Sequence, residues 1–272
     1  MKYKPSLKNI LLHGASLVLI LIILFPIYLV FSMSLKSPSS IINQEWIFTP
    51  TLMNYQAIFA AINAQRYFFN SLIISVTTMI IALALAILAG YSLARFKFKG
   101  SENLSSWMLT LLIFPPIVPC IAFWVLFKNV GLIDTHIGVA LTHLTFILPF
   151  SIWLLRIFFM AIPQEYEESA RIDGCSDLEV LRRVTLPLAI PGIISTFLLG
   201  FLFSWSDLTF ALVVAPHYAQ TLPVLSITYL GIRGALYWGN IAALTAISFV
   251  PLMILSLVFK LDERIAKGFL VK

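Results

Sequence analysis

The sequence predicts an all-α polytopic membrane protein with six transmembrane helices and a cytoplasmic two-helix hairpin between the fourth and fifth. Three observations carry that expectation. Hydrophobic residues make up 60% of the chain and charged residues 11%, with a mean hydropathy of +0.96, whereas about a quarter of a soluble domain is charged. Six stretches reach the roughly 20 apolar residues that a bilayer crossing needs: about Ile10–Met33, Phe69–Ala94, Leu104–Phe127, Ile137–Ile162, Gly192–Ala215 and Asn240–Phe259. The third observation is lopsided positive charge. With the amino end inside, the inner segments hold Lys2, Lys4 and Lys8; Arg95, Lys97 and Lys99; Arg156, Arg171, Arg182 and Arg183; and Lys260, Arg264, Lys267 and Lys272. Only Lys36, Arg66, Lys128 and Arg233 stay outside. Cytoplasmic loops carry such an excess, so both termini are expected in the cytoplasm. The net charge of +6 is then a topology signal and gives no support to nucleic-acid binding.

Taken in order, Lys2, Lys4 and Lys8 ahead of an apolar run look like the start of a signal peptide, and Ser32-Met33-Ser34 like a cleavage site. A signal core runs only roughly 7–15 residues; Ile10–Met33 is longer and reads as an uncleaved anchor. The loop Ser34–Arg66 interleaves Trp46, Phe48, Pro50 and Tyr55 with polar residues, which suits a folded cap on the outer face or a contact for an external partner. The Ala-rich tract Ala82–Ala94 with Gly90 predicts close packing of the second span on another helix, and Arg95, Lys97 and Lys99 anchor its end among lipid headgroups. Pro115, Pro116 and Pro119 break the ladder of the third span, as a kink lining a cavity or as a purely structural one. His136 and His143 stand seven apart without a third ligand, so helix packing suits them better than a metal. Cys120 falls in a span and Cys175 in the hairpin, so the two cannot pair and read as plain thiols. Asp207, following Trp205 past the middle of the fifth span, is a costly position for a carboxylate. It faces a watery pathway, or it partners buried hydroxyls and helix amides. Leu222–Ile232 is too short to cross and suits an interfacial or re-entrant piece, and Asp262–Lys272 is a charged cytoplasmic tail.

The segment Pro163–Pro191 is a polar island with six of the twelve carboxylates against three arginines. Pro163 suits a first helical turn, and Glu165, Glu167 and Glu168 suit the positive end of the helix dipole. Glu167–Arg171 is an i,i+4 pair. Gly174 ends this helix, being free to adopt positive φ. Ser176-Asp177-Leu178-Glu179 is a capping box that starts a second helix at once. Leu178, Leu181 and Val184 share a face of it, Glu179–Arg183 forms a second ion pair, and Leu186-Pro187 is expected to stop it. Such a hairpin is longer than the roughly 2–8 residues that join most helices.

Glu168-Ser169-Ala170, three residues, Gly174, nine residues, then Val184-Thr185-Leu186-Pro187 resembles the cytoplasmic loop of permease subunits of binding-protein-dependent ABC importers, with Ser169 in place of Ala and Val184 in place of Ile. The resemblance extends over Asn70-Ser71-Leu72, the Gly90–Gly100 block, Phe114-Pro115-Pro116, Phe127–Asp134, Leu148–Phe159 and Trp205-Ser206-Asp207, and is greatest to maltose-type permeases of the carbohydrate-uptake class. The tail, ending Lys-Gly-Phe-Leu-Val-Lys, departs from that pattern. What the resemblance implies is half of a translocation pathway for a sugar or related solute in a bacterial or archaeal inner membrane, working by alternating access. The implied partners are a second homologous permease, two ATP-binding subunits, an extracytoplasmic solute-binding protein and membrane lipid. ATP and Mg would be bound by the partner subunits and no cofactor by this chain. The hairpin would dock on the ATPase through Glu168, Ser169, Ala170, Gly174, Leu178, Leu181, Leu186 and Pro187. Asn70, Pro116, Trp205 and Asp207 are candidates for the pathway.

Two other classes fit less well. The chain has no Gly-x-Ser-x-Gly, no His-Glu-x-x-His and no phosphate-cradling glycine loop with lysine, so an intramembrane enzyme lacks its usual motifs. A stand-alone secondary transporter of a small solute would show internal repeats with broken helices at matching places, and no convincing repeat relates the two halves. Dependence of uptake on ATP or on a proton gradient separates the two transporter readings.

Overall fold

The computed structural model describes residues 7–96, 98–233 and 237–270. Lys2, Lys4, Lys97 and Lys272, which entered the topology argument, lie outside the described residues, as do the side chains of the tail Asp262–Lys272. Among the described residues every regular element is helical. Helices α1 (Leu7–Ser34), α2 (Pro38–Ile42), α3 (Met53–Ala60), α4 (Ala64–Arg95), α5 (Ser101–Ile113), α6 (Ile117–Asn129), α7 (His136–Met160), α8 (Glu165–Ile172) and α9 (Asp177–Val180) lead into a π turn (Leu181–Thr185). Then come α10 (Leu186–Ser206), α11 (Thr209–Val214), α12 (Leu222–Arg233) and α13 (Trp238–Leu270). Among the described residues, five helical stretches are long and apolar enough to cross a membrane, and six if the bent pair α5–α6 counts as one.

The third and fifth hydrophobic stretches differ from the expected single spans. Phe114 is extended (φ −69°, ψ 127°), as a residue before proline is pushed to be, and α5 and α6 meet at 92°. The fifth stretch does not begin at Gly192. Helix runs without interruption from Asp177 to Ser206, and Leu186-Pro187 does not stop it. Proline at 187 has no amide to offer the Arg183 carbonyl and its ring would press on it. The π turn relieves the conflict by widening the helix, so that the Leu186 amide reaches the Leu181 carbonyl five residues back. At its far end the helix breaks at Asp207, which is extended (ψ 132°), and α11 follows as a separate short helix.

The chain forms two compact units, Met1–Gln65 with Ser226–Val250, and Arg66–Leu225 with Pro251–Lys272. In the first, the outer loop is folded. Ser37 caps α2, and Asn54, buried on α3, donates through Nδ2 to the carbonyls of Ser34 (2.9 Å) and Lys36 (2.8 Å). Gly239 passes so close to Asn54 that a Cβ would lie 2.6 Å from its Oδ1. Phe31 stacks on Phe249. Helix α1 presents apolar side chains to every side from Leu12 to Phe25, the pattern of a helix that needs lipid or another chain around it.

In the second unit α7 is the central rod, in contact with α5, α10 and α11. Small residues let its neighbours approach. A Cβ on Gly90 of α4 would stand 3.2 Å from the Ile152 carbonyl of α7, and one on Gly192 of α10 would overlap Phe158, so the Ala-rich tract does pack as its composition predicts. Among the described residues, two apolar clusters lie in this unit. One joins Ile74, Phe127, Val139, Ala140, Ala211 and Val214; the other joins Ala86, Tyr91, Ile152, Leu155, Phe159 and Leu181 beside the hairpin.

Candidate functional site

The hairpin is built from local rules. Helix α8 carries Glu165, Glu167 and Glu168 in its first turn. It ends in a Schellman motif: Gly174 N–H donates to the Arg171 carbonyl and Cys175 N–H to the Ala170 carbonyl, both at 3.0 Å. This geometry needs φ of +92° at residue 174, a region open to glycine. The predicted capping box is present: Ser176 donates its amide (3.0 Å) and its hydroxyl (2.9 Å) to Glu179 Oε2. Arg183 pairs with Glu179 at 3.2 Å. Arg171 bonds Asp177 at 3.0 Å across the turn, and that bond raises the guanidinium pKa above its ordinary value.

The outer surface of this element is mixed. Glu165, Glu168, Asp173 and Asp177 are exposed around Tyr166, Ile172 and Leu178. Of the residues expected at an ATPase contact, Glu168, Ser169, Gly174, Leu178 and Pro187 are exposed, and Ala170 and Leu186 half-buried. Leu181 is only 4% exposed and belongs to the apolar cluster under the hairpin. It cannot meet a partner in this arrangement, because its side chain is packed into that cluster.

Glu167 does meet Arg171 at i,i+4, but its environment and main partner are not those of a surface pair. It is fully buried, and both of its oxygens lie 2.9 Å from Arg95 Nε at the end of α4. Thr185 Oγ1 donates to Oε1 at 2.8 Å and Tyr91 OH to Oε2 at 3.3 Å, with Arg171 farther off at 3.7 Å. Arg95 is therefore more than a headgroup anchor. Its partner lies 72 positions away, and the one local hint was that Tyr91 and Arg95 share a helix face.

The four pathway candidates divide among separate surroundings. Asn70 donates to the carbonyls of Tyr218 (2.7 Å) and Gln220 (2.9 Å) and accepts from His136 Nε2 at 2.8 Å. It is part of a clasp on the segment before α12. Asp134 completes that clasp by accepting the amides of His217, Tyr218 and Ala219, and Ser71 accepts the amide of Leu222 at 2.8 Å. Trp205 is buried, stacked on Phe201 and edge-on to Phe68. Pro116 lies exposed at the α5–α6 break. Asp207 sits where α10 breaks, and its Oδ2 accepts the amides of Phe210 (3.1 Å) and Ala211 (3.2 Å) and Nε2 of buried His143 (3.1 Å). With Asp207 ionised, Nε2 carries the proton and Nδ1 accepts from Ser204 Oγ at 2.8 Å. Of the two readings of Asp207, the geometry favours the partner of buried groups. Asp207→Ala should therefore lower stability by about 2–4 kcal/mol, since two amides and a histidine lose their acceptor. Asp207→Asn, which keeps an acceptor, should stay near wild type; thermal unfolding in detergent distinguishes the pair.

Residues 82–261 match the family described as binding-protein-dependent transport system inner membrane component. The chain is 32% identical over 244 residues to a diacetylchitobiose uptake system permease protein of Streptomyces coelicolor, covering 88% of each chain. It is 30% identical to a trehalose/maltose transport system permease protein of Thermococcus litoralis, covering 93% of each, and 34% identical to a trehalose transport system permease protein of Mycobacterium tuberculosis, covering 90% of each. Among solved structures, a chain of a bacterial ABC transporter that imports the acidic polysaccharide alginate matches with a TM-score of 0.72 at 21% identity, covering 95% of this chain and 99% of that one. A chain of an inward-facing methionine ABC transporter matches with a TM-score of 0.58 at 15% identity, covering 75% and 93%.

Proposed function

The chain belongs to the binding-protein-dependent transport system inner membrane components, and on that premise we propose that it is one permease subunit of an ATP-driven importer of a sugar or related solute. It would line half of the pathway, cross the bacterial or archaeal cell membrane six times with the bent pair α5–α6 as one crossing, and keep both termini in the cytoplasm. A second homologous permease, two ATP-binding subunits and an extracytoplasmic solute-binding protein complete the assembly, with ATP and Mg held by the ATP-binding subunits. Relatives named for diacetylchitobiose, trehalose and maltose support the solute class.

The observation that carries the coupling role is the rigid form of the α8–α9 hairpin. It has a Schellman turn, a capping box and three exposed large apolar side chains, Tyr166, Ile172 and Leu178, among exposed carboxylates. Apolar side chains on a polar surface mark a contact with another protein, and the carboxylates suit a basic groove. Alternating access then has a mechanical form: closure of the ATPase pair displaces the hairpins, and the continuous helix 177–206 carries that displacement into the membrane.

The test is a mild-detergent pull-down of the tagged chain. An ATPase and a second permease should co-purify, and Glu168→Lys should reduce ATPase recovery by at least about tenfold, the loss of roughly 1.4 kcal/mol of contact free energy. Recovery of this chain alone, with uptake by cells driven by a proton gradient and indifferent to ATP depletion, would replace this reading by the stand-alone transporter.

A further inference from the structure

We propose that Glu167 is a positioning residue of the transport cycle, the joint through which movement of the hairpin reaches the end of α4 and the start of α10. This rests on the reading of the hairpin as the ATPase contact and adds to it the route by which the movement enters the fold.

On the first turn of α8, Glu165, Tyr166 and Glu168 face outward and Glu167 alone turns in. Its carboxylate collects donors from two other elements: Arg95 and Tyr91 of α4, and Thr185 of the π turn. Arg95, whose side chain is 5% exposed, uses its Nη2 to bond the Ile162 carbonyl at 3.0 Å, just ahead of the hairpin. The two ends of the hairpin, at Ile162 and Thr185, are thus tied to one charge pair at the tip of α4. Around it Tyr91, Phe159, Leu181 and Ala189 form an apolar wall.

The chemistry of this joint differs from that of its surroundings. Apolar contacts tolerate sliding, because they have no preferred direction. A buried carboxylate bonded by a guanidinium and a hydroxyl does not, because any slip leaves a charge without its partner in a dry site. Displacement of α8 therefore draws α4 and the π turn with it, while Leu155 and Phe159 beneath can re-pack.

The experiment uses the complex purified through this chain, with whichever subunits accompany it, and follows amide hydrogen exchange with and without ATP plus vanadate. In the wild type, trapped nucleotide should change exchange both in peptides covering 165–174 and in those covering 88–96. Glu167→Gln faces away from the partner, so ATPase recovery should stay within about twofold and the change at 165–174 should persist. At 88–96 the nucleotide-dependent change should fall by at least about fivefold, because the neutral amide no longer holds Arg95. A merely structural role predicts something else: faster exchange in both regions regardless of nucleotide, with the nucleotide-dependent change at 88–96 intact. That result overturns the proposal. Should Glu167→Gln fail to accumulate, Thr185→Val keeps the charge pair and removes only the tie to the π turn. It should reduce the nucleotide response at 186–195 by at least about twofold, the continuous helix still carrying the rest, and spare that at 88–96, and an unaltered response at 186–195 overturns the proposal as well. Absence of any ATPase beside the wild-type chain is a different failure, that of the docking reading, and it shows before a variant is made.

Discussion

Gly174→Asp should leave the chain as abundant in the membrane as wild type, within about twofold, and reduce ATPase recovery by at least about tenfold. The free subunit and the assembled one respond differently. A Cβ on Gly174 would meet nothing within 4 Å, so there is no steric conflict inside this subunit. The cost there is the positive φ of the Schellman turn, about 1 kcal/mol for an L side chain. Any larger effect has to come from the partner's side of the surface. Residue 174 stands between exposed Asp173 and Asp177, and a third carboxylate in that turn would crowd whatever groove receives the hairpin and change its charge. Gly174→Ala, which adds the backbone strain without the charge, should fall between the two. An ATPase recovered at wild-type level with Gly174→Asp would remove the turn from the contact surface.

Gly192→Ala should have the opposite profile, a severe loss of the folded subunit with no specific effect on partners. Its added Cβ would lie 2.3 Å from Phe158 Cγ and 2.7 Å from Phe158 Cβ. The obstruction includes the root of the ring, which cannot move without moving α7. Overpacking of that kind costs about 1–3 kcal/mol or more, so the melting temperature in detergent should drop by several degrees. Gly200→Ala meets an obstacle of another sort, the Met79 Sδ at 2.5 Å and Cε at 2.8 Å. The end of a methionine swings aside more readily, and the loss should be smaller. Phe158→Ala should restore stability to Gly192→Ala, giving a strongly non-additive cycle. Equal losses at the two glycines, or no rescue by Phe158→Ala, would refute the packing account.

What could be read in the residues and what could not divides by the range of the forces. The turn at Gly174, the box at Ser176 and Glu179 and the break at Pro115-Pro116 are each decided within a few positions, so local chemistry was sufficient. The burial of Glu167 was not, because only the folded chain brings Arg95 to it, and an i,i+4 arginine at 171 supplied a plausible surface partner. Leu178 and Leu181 were read as sharing one helical face, but tertiary packing buries Leu181 in the cluster under the hairpin and leaves Leu178 exposed, which the period alone does not decide. Pro187 leaves the Arg183 carbonyl without its amide and so favours an irregularity one turn upstream, but it does not require one, since Pro149 and Pro191 sit inside uninterrupted α-helix. His143 and Asp207 were each legible as polar residues in a span, but their pairing depends on where α10 ends. That end could have been guessed from Asp207 itself, since aspartate at the start of a short apolar helix is a capping residue.

The uninterrupted passage from Asp177 to Ser206 makes the number of residues between Gly174 and Pro187 a setting of phase. In an α-helix each residue turns the chain by about 100°, and the π turn at Leu181–Thr185 holds one residue more than an α turn would. Deleting a residue from the π turn would let it close to a regular α turn and largely absorb the change, whereas deleting one from the α-helical part, 177–180, would rotate everything before it by about 100° relative to the faces that Gly192 and Gly200 present to α7 and Met79. The fixed interval in the hairpin thus works as an angular gauge: it aims the docking surface of one end of the rod while the other end stays seated in the bundle.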